Sequence, residues 1–327
     1  MSTPTSPATD PDITVIICTH NPRMDYLTRA IAALRAQTLP VDRWELLIID
    51  NASTEPVASR VDLAWHPSSR IIPESSLGLT PARLRGILES RGGLLVFVDD
   101  DNVLRPDYLA VCLRIAADHP LLGAWGGSCL PEYETPPPAE IGPWLGGLAV
   151  HKLNAPVWAK FRSVTEACPC GAGMALRRNV ALRYRELAMN DPLRQALDRS
   201  GEALGAGGDS DMALCGFELG LGTGCFPELE LTHLIAAKKL TLEYIAGIYE
   251  GFGYATIVLG VLHQPGYDPG IKEGPVTSLR ICISKILLLR KSRAERRIAL
   301  ANQRGRMKAH RKLKTLGYFQ PGKTANP

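Results

Sequence analysis

The chain has 327 residues, enough for one large α/β domain with an extension or for two small domains, and its 45% hydrophobic and 21% charged composition is ordinary for a globular protein. Its net charge of +4 is uneven: residues 290–323 carry 12 Lys and Arg against the single acid Glu295, a local +11 that leaves −7 for the remainder. No run reaches the ~18 apolar residues of a spanning helix, and no RNA- or DNA-binding motif is present, so nucleic acid is not an expected partner.

Residues 1–12 are polar and rich in Ser, Thr and Pro, without the basic start and apolar stretch of a secretory signal. This segment is expected to be disordered, and the protein cytoplasmic with reduced thiols. Cys168-Pro-Cys170 lacks the usual zinc spacing.

From residue 13 the chain alternates strand and helix. ITVIIC at 13–18 is a β-branched run expected to be buried on both faces. Asn21-Pro22 then offers an N-cap and a first-turn proline for a helix with Leu27, Ile31 and Leu34 on one side, ending near Gln37. WELLIID at 44–50 is a second strand, and a helix follows over 77–90. LLVFV at 94–98 is a third strand that runs into three aspartates, and Pro106 opens another helix. This rhythm predicts an α/β fold with a mostly parallel central sheet flanked by helices.

The Pro- and Gly-rich stretch 131–158 is expected to be a loop or lid. Residues 171–233 look irregular apart from a helix near 211–216, and Gly220–Gly224 (GLGTG) is taken as a turn. Residues 241–262 read as one or two helices, and from 278 the chain is helical and increasingly basic. Such a tail is a solvated face or a contact for an anionic surface.

All three early strands end in polar residues: Thr19-His20-Asn21, Asp50-Asn51 and Asp99-Asp100-Asp101. Functional groups of open α/β sheets gather at these carboxyl ends. Three adjacent carboxylates repel one another, and a hard divalent cation compensates them well. Asp50 either contacts a ribose or base, or caps a turn. In Gly207-Gly208-Asp209-Ser210-Asp211 a carboxylate could serve as general base, and His233 is a candidate metal ligand, phosphate contact or packing residue. Neither a Gly-x-Gly-x-x-Gly fingerprint nor a Walker A sequence is found.

Taken in order, ITVIICTHN at 13–21, WELLIIDNAS at 44–53, SLGLTPARLRG at 76–86 and LLVFVDDDNVLRPDYL at 94–109 resemble the family 2 glycosyltransferases. CGAGMALRR at 170–178, GGDSDMAL at 207–214 and THLIAAKKLT at 232–241 extend the resemblance to about Phe252. Leu84 stands where the pattern has Asn, and Gly208 where it has Glu.

The resemblance implies a GT-A fold over 13–265, with a nucleotide-sugar half at 13–130, an acceptor half at 131–265, and a basic helical extension at 266–327. It implies an inverting transfer from a nucleoside-diphosphate sugar to a hydroxyl acceptor. Thr19, His20, Asn21, Asp50, Arg83, Asp99 and Asp100 would bind the donor, and Asp101 and His233 would hold a divalent Mn²⁺ or Mg²⁺. Asp209, preferred to Asp211, would be the base, with Gly171, Gly173 and Asp211 on the acceptor side.

The basic extension is expected to rest on an anionic membrane at its inner face, next to the apolar stretch 281–289. Two rival readings remain. A sugar nucleotidyltransferase would need a Gly-rich basic loop after the first strand, where Cys18–Pro22 stands instead. The intact aspartate triplet argues against a nucleotide-sugar-binding scaffold without activity, a reading that Leu84 and Gly208 keep open.

Overall fold

The apolar runs of the first hundred residues form one half of a nine-stranded sheet in a computed structural model that describes residues 10–199, 205–268 and 291–318. Strands β1 (Ile13–Thr19), β2 (Trp44–Asn51), β3 (Ser69–Glu74) and β4 (Leu94–Val98) lie parallel in the order β3-β2-β1-β4. β8 (Ala175–Arg177) follows antiparallel to β4. Next come β6 (Leu122–Tyr133) and β9 (Gly222–Ile235), parallel to each other. The short β5 (Asn102–Leu104) and β7 (Val157–Ala159) pair antiparallel with β9. Six of these strands share one direction, which matches the expected mostly parallel sheet.

Alternation along the strands sorts the core into two layers, because successive side chains point to opposite faces. Ile13, Val15, Ile17, Leu46, Ile48, Val96 and Val98 pack under α1 (Met24–Arg35) and α3 (Tyr108–Asp118). Ile16, Leu47, Ile49, Leu95 and Phe97 pack under α2 (Leu79–Glu89), α4 (Arg178–Ala188) and α6 (Gly208–Leu214). Each such side chain contributes about 1.5–3 kcal/mol by burial, so both faces hold the strand ends in fixed relative positions.

Several expectations need correction. Helix α1 begins at Met24 rather than after Asn21, because Asn21 sits in the left-handed region (φ 48°) and its Oδ1 accepts the Thr54 N–H at 2.8 Å. β3 was not expected: Arg70 and Pro73 interrupt its apolar pattern at the sheet edge. The stretch 131–158 is not simply a loop. β6 runs into it, and a 3-10 segment (Ala139–Leu148) buries Ile141 and Leu148 against α7 (Leu242–His263).

The described residues of 171–233 include β8, α4, a short α5 (Pro192–Gln195), α6 and most of the fourteen-residue β9. Of the GLGTG turn only Gly220 and Leu221 precede the strand; Gly222 begins it. A Cβ at Gly222 would lie 2.5 Å from the Ala159 carbonyl of the paired strand.

α7 is a single 22-residue helix, long and apolar enough by length and composition to cross a membrane, with half of its most apolar window buried. The sequence leaves one helix or two open over 241–262, and the unbroken apolar runs there are short because Glu250 and several glycines and tyrosines punctuate the helix. α8 (Arg293–Thr315) lies along α7 in the same direction, with Arg297 paired to Glu243 and Arg304 to Glu250. Ile298, Ala301, Ala309 and Leu313 face inward. The expected disordered start at 1–9 and the apolar stretch 281–289 lie outside the described residues.

Candidate active site

After β4 the chain turns tightly through the three aspartates. Asn102 N–H donates to Asp99 O at 3.0 Å, and Asp99 N–H donates to Asn102 Oδ1 at 3.1 Å. The next residues form β5, which sets Asn102 opposite His233 on β9, and Leu234 N–H donates to Asp101 O at 2.9 Å. This ladder brings His233 Nε2 to 3.3 Å from Asp101 Oδ2. Lys239, just past β9, reaches the same oxygen at 2.6 Å. Sequence reasoning missed Lys239 as a site residue, although it lies inside THLIAAKKLT.

The three carboxyls are held unequally. Burial, reinforced by Asp101, pushes Asp99 up. Burial and Asp101 push Asp100 up to about 6, against the hydrogen bond that Thr19 Oγ1 donates to it. Burial also works against Asp101, yet His233 and Lys239 hold its carboxyl well below the usual range. Burial lowers Lys239, but Asp101 outweighs it and raises the ammonium. The exposed Arg199, also missed, adds positive charge felt by Asp99 and Lys239.

His233 Nδ1 lies 3.0 Å from the Leu148 carbonyl and donates its hydrogen there. Nε2 therefore meets the Asp101 carboxylate only by carrying a second proton or by sharing a cation with it. A carboxylate oxygen and a borderline imidazole nitrogen 3.3 Å apart can take neighbouring positions around a divalent cation with ligand distances of about 2.1 Å, provided the Lys239 ammonium yields the oxygen it shares. Among the described residues no three His, Cys, Asp or Glu side chains converge on one point. The fit is thus to a cation that leaves its other positions to water and phosphate oxygens, as Mg²⁺ commonly does.

The neighbouring strand ends build a second wall. His20 Nδ1 donates to Asn51 O at 2.7 Å, and Asn21 N–H donates to Ser53 Oγ at 2.9 Å. Asp50 takes the turn-capping alternative: its oxygens accept Ser53 N–H at 3.3 Å and Val57 N–H at 2.9 Å. Asn51, not singled out from the sequence, accepts Gly78 N–H at 2.8 Å and donates to Ser76 O at 2.7 Å. It thereby fixes the loop ahead of α2.

Asp209 stands in the first turn of α6, half-buried, and its Oδ2 accepts Gly171 N–H at 2.7 Å. Asp211, two residues on, points the other way and is fully buried. It pairs with Arg194 and with His263 Nε2 at 2.7 Å, so it belongs to the core rather than to an acceptor site.

Gly173 is also structural. It adopts φ +72°, and a Cβ there would collide with the Tyr108 hydroxyl, which donates to the Gly173 carbonyl at 2.8 Å. Arg83, expected on the donor, is 5% exposed and holds Asp198 at 2.8 Å. Its Nη2 lies against Gly171, where a Cβ would stand 2.8 Å from it and 3.5 Å from Asp209 Oδ2.

The chain is similar to the uncharacterised protein y4gI of Sinorhizobium fredii, 31% identical over 34% of this chain and 12% of that one. It is also similar to the glycosyltransferase AglE of Haloferax volcanii, 31% identical over 29% of this chain and 32% of that one. The matched stretches therefore span less than a third of these relatives' own lengths.

The crystal structure of S. aureus TarS 1–349 in complex with UDP-GlcNAc aligns with a TM-score of 0.50 at 11% identity, over 89% of this chain and 79% of that one. That likeness gives the fold, the GT-A arrangement of a mixed sheet flanked by helices. The model of glycosyl transferase family 2 matches residues 14–180, just over half of the chain. The chain belongs to glycosyl transferase family 2.

Proposed function

We propose that this protein transfers a glycosyl group, with inversion, from a nucleoside-diphosphate sugar to a hydroxyl acceptor. The observation that carries the reading is the meeting of Asp101, His233 and Lys239 beside Asp99 and Asp100, with the half-buried Asp209 near enough that it and Asp99 both act on the Arg83 guanidinium. Asp209, pinned by Gly171 N–H through one oxygen, takes the proton of the acceptor hydroxyl. The acceptor oxygen attacks the anomeric carbon from the face opposite the leaving group, and the electron pair of the breaking C–O bond leaves on the nucleoside diphosphate.

Thr19, His20 and Asn21, with the turn that Asp50 caps, receive the nucleoside. Lys239 and Arg199 bring positive charge to the side where the diphosphate leaves. A divalent cation held by Asp101 and His233 would neutralise charge on that diphosphate. UDP-GlcNAc, the ligand in the TarS structure, is the natural first probe.

Nucleoside diphosphate release from UDP-, GDP- and dTDP-sugars, with Mn²⁺ and with EDTA, tests the reading. Turnover of one donor supports it. Donor binding with no turnover to any acceptor or to water favours the scaffold reading instead.

A second proposal concerns location. α8 buries its apolar face on α7 and leaves Arg293, Arg311 and Lys312 exposed, which suits an anionic membrane surface on the cytoplasmic side. Co-sedimentation with vesicles containing phosphatidylserine, compared with an Arg311→Glu/Lys312→Glu variant, decides it; equal binding by both counts against it.

A further inference from the structure

Gly208 lies where a carboxylate already is. The Asp198 side chain, from the loop after α5, sits directly on the Gly208 backbone, and a Cβ at 208 would collide with all three carboxyl atoms at 2.2–2.4 Å. That carboxylate is nearly buried and fully engaged. It accepts Arg83 Nη1 at 2.8 and 3.0 Å and Thr80 Oγ1 at 2.8 Å. The other arm of Arg83 faces Gly171, the residue whose N–H pins Asp209. A line of contacts thus runs from Asp198 through Arg83 and Gly171 to Asp209.

In the Glu-Asp-x-Asp pattern that GGDSDMAL resembles, the carboxylate beside the base comes from the preceding residue. Here that residue has no side chain, and the space it would fill holds Asp198.

We propose that Asp198 is a positioning residue: it supplies from a separate loop the carboxylate that Gly208 lacks, and fixes Arg83 so that its free arm sets Asp209. The proposal rests on the transferase reading only for the role of Asp209; the relocation of the charge stands apart from it. Without the Asp198 anchor, Arg83 swings toward Asp209, the nearest remaining carboxylate, and ties up the base.

The test is a relocation cycle on the full chain: Asp198→Asn, Asp198→Ala, Gly208→Glu, and the double change Asp198→Ala/Gly208→Glu. Melting temperature is read without substrate, and kcat and KM with the Mn²⁺-supplemented UDP-, GDP- and dTDP-sugar panel. Asp198→Ala is expected to lower the melting temperature by roughly 6 °C. Gly208→Glu alone is expected to lower it as well, by collision. The double change is expected to recover most of both losses, because the new side chain's Cβ takes the space Asp198 vacated and its carboxylate, two bonds further along, meets Arg83.

In turnover, Asp198→Asn is expected to reduce kcat about 30-fold with donor KM within about threefold, and the double change to restore it. A double variant no more stable than the worse single overturns the relocation. Loss of stability with kcat unchanged in Asp198→Asn overturns the positioning role. If the wild-type chain turns over no donor, the transferase reading fails while the melting cycle still decides the relocation.

Discussion

The two ends of the parallel strands treat negative charge in opposite ways. Where the strands begin, Glu45 is fully buried and answered: Thr14 Oγ1 donates to it at 2.8 Å, Arg91 N–H at 2.6 Å and the Arg91 guanidinium at 3.0 Å. Where they finish, three consecutive carboxylates share one lysine, one histidine, one threonine hydroxyl and the Asn102 amide, which donates to Asp101. Charge that is matched inside the protein secures the fold. Charge left in excess is destabilising unless something positive arrives, which is what the proposed donor and cation site would use.

α6 repeats the contrast at the scale of one helix turn. Asp211 is matched by Arg194 and His263, while Asp209 is held through backbone hydrogen bonds and keeps access to solvent.

The largest expected effect separates those two acids. Asp209→Asn should lower kcat about 10³-fold while donor affinity and melting temperature stay put. Asp211→Asn should instead destabilise the protein by about 3 kcal/mol, because Arg194 and His263 lose their buried partner. Steady-state kinetics with thermal melts will show it; a stable but inactive Asp211→Asn protein would reverse the assignment.

Next comes Asp101→Asn, expected to lower Mn²⁺-stimulated turnover about 10²-fold. It should also abolish the difference between donor binding in Mn²⁺ and in EDTA. Undiminished stimulation would remove Asp101 from the cation site.

At the opposite end, Glu45→Gln should cost about 2 kcal/mol of stability and leave kcat/KM within about twofold. A kinetic defect there would blur the distinction between the two ends.

The smallest effect is in the pH dependence. Asp100 is raised from 3.8 to about 6 in the fold, so the folded protein holds this proton more tightly than the unfolded chain does. Its contribution to stability is full below about 4 and is lost as pH rises through about 6. Melting curves across that window should fall with pH in the wild type, and Asp100→Asn should flatten the fall.

Much of the sheet was legible because its central strands are unbroken apolar runs with polar ends, and position in a parallel sheet places those ends together. The aspartate triplet followed from the same logic, whereas the proposed base on α6 came from the resemblance of GGDSDMAL to the family pattern. What escaped depends on contacts between distant segments. Lys239 became a site residue only through the pairing of β5 with β9, which aligns Asn102 with His233.

Asp198 carries no local signal at all; its meaning appears only where Gly208 makes room for it. Asp50 and Gly173 show the reverse. Each matched a functional pattern, yet one caps a turn and the other lets the backbone pass Tyr108. The helix at 241–262 was legible, but not its spanning length, because glycines break its apolar run; one of them, Gly253, is needed for the close approach of α8, as Gly305 is on α8 itself.

The claim that the carboxylate-rich end receives a nucleotide sugar is tested most directly by calorimetric titration of the full chain with UDP-, GDP- and dTDP-sugars, first with Mn²⁺ and then with EDTA. Binding of one nucleotide series that weakens when the metal is removed is the expected result. The absence of binding by every donor under both conditions would contradict it.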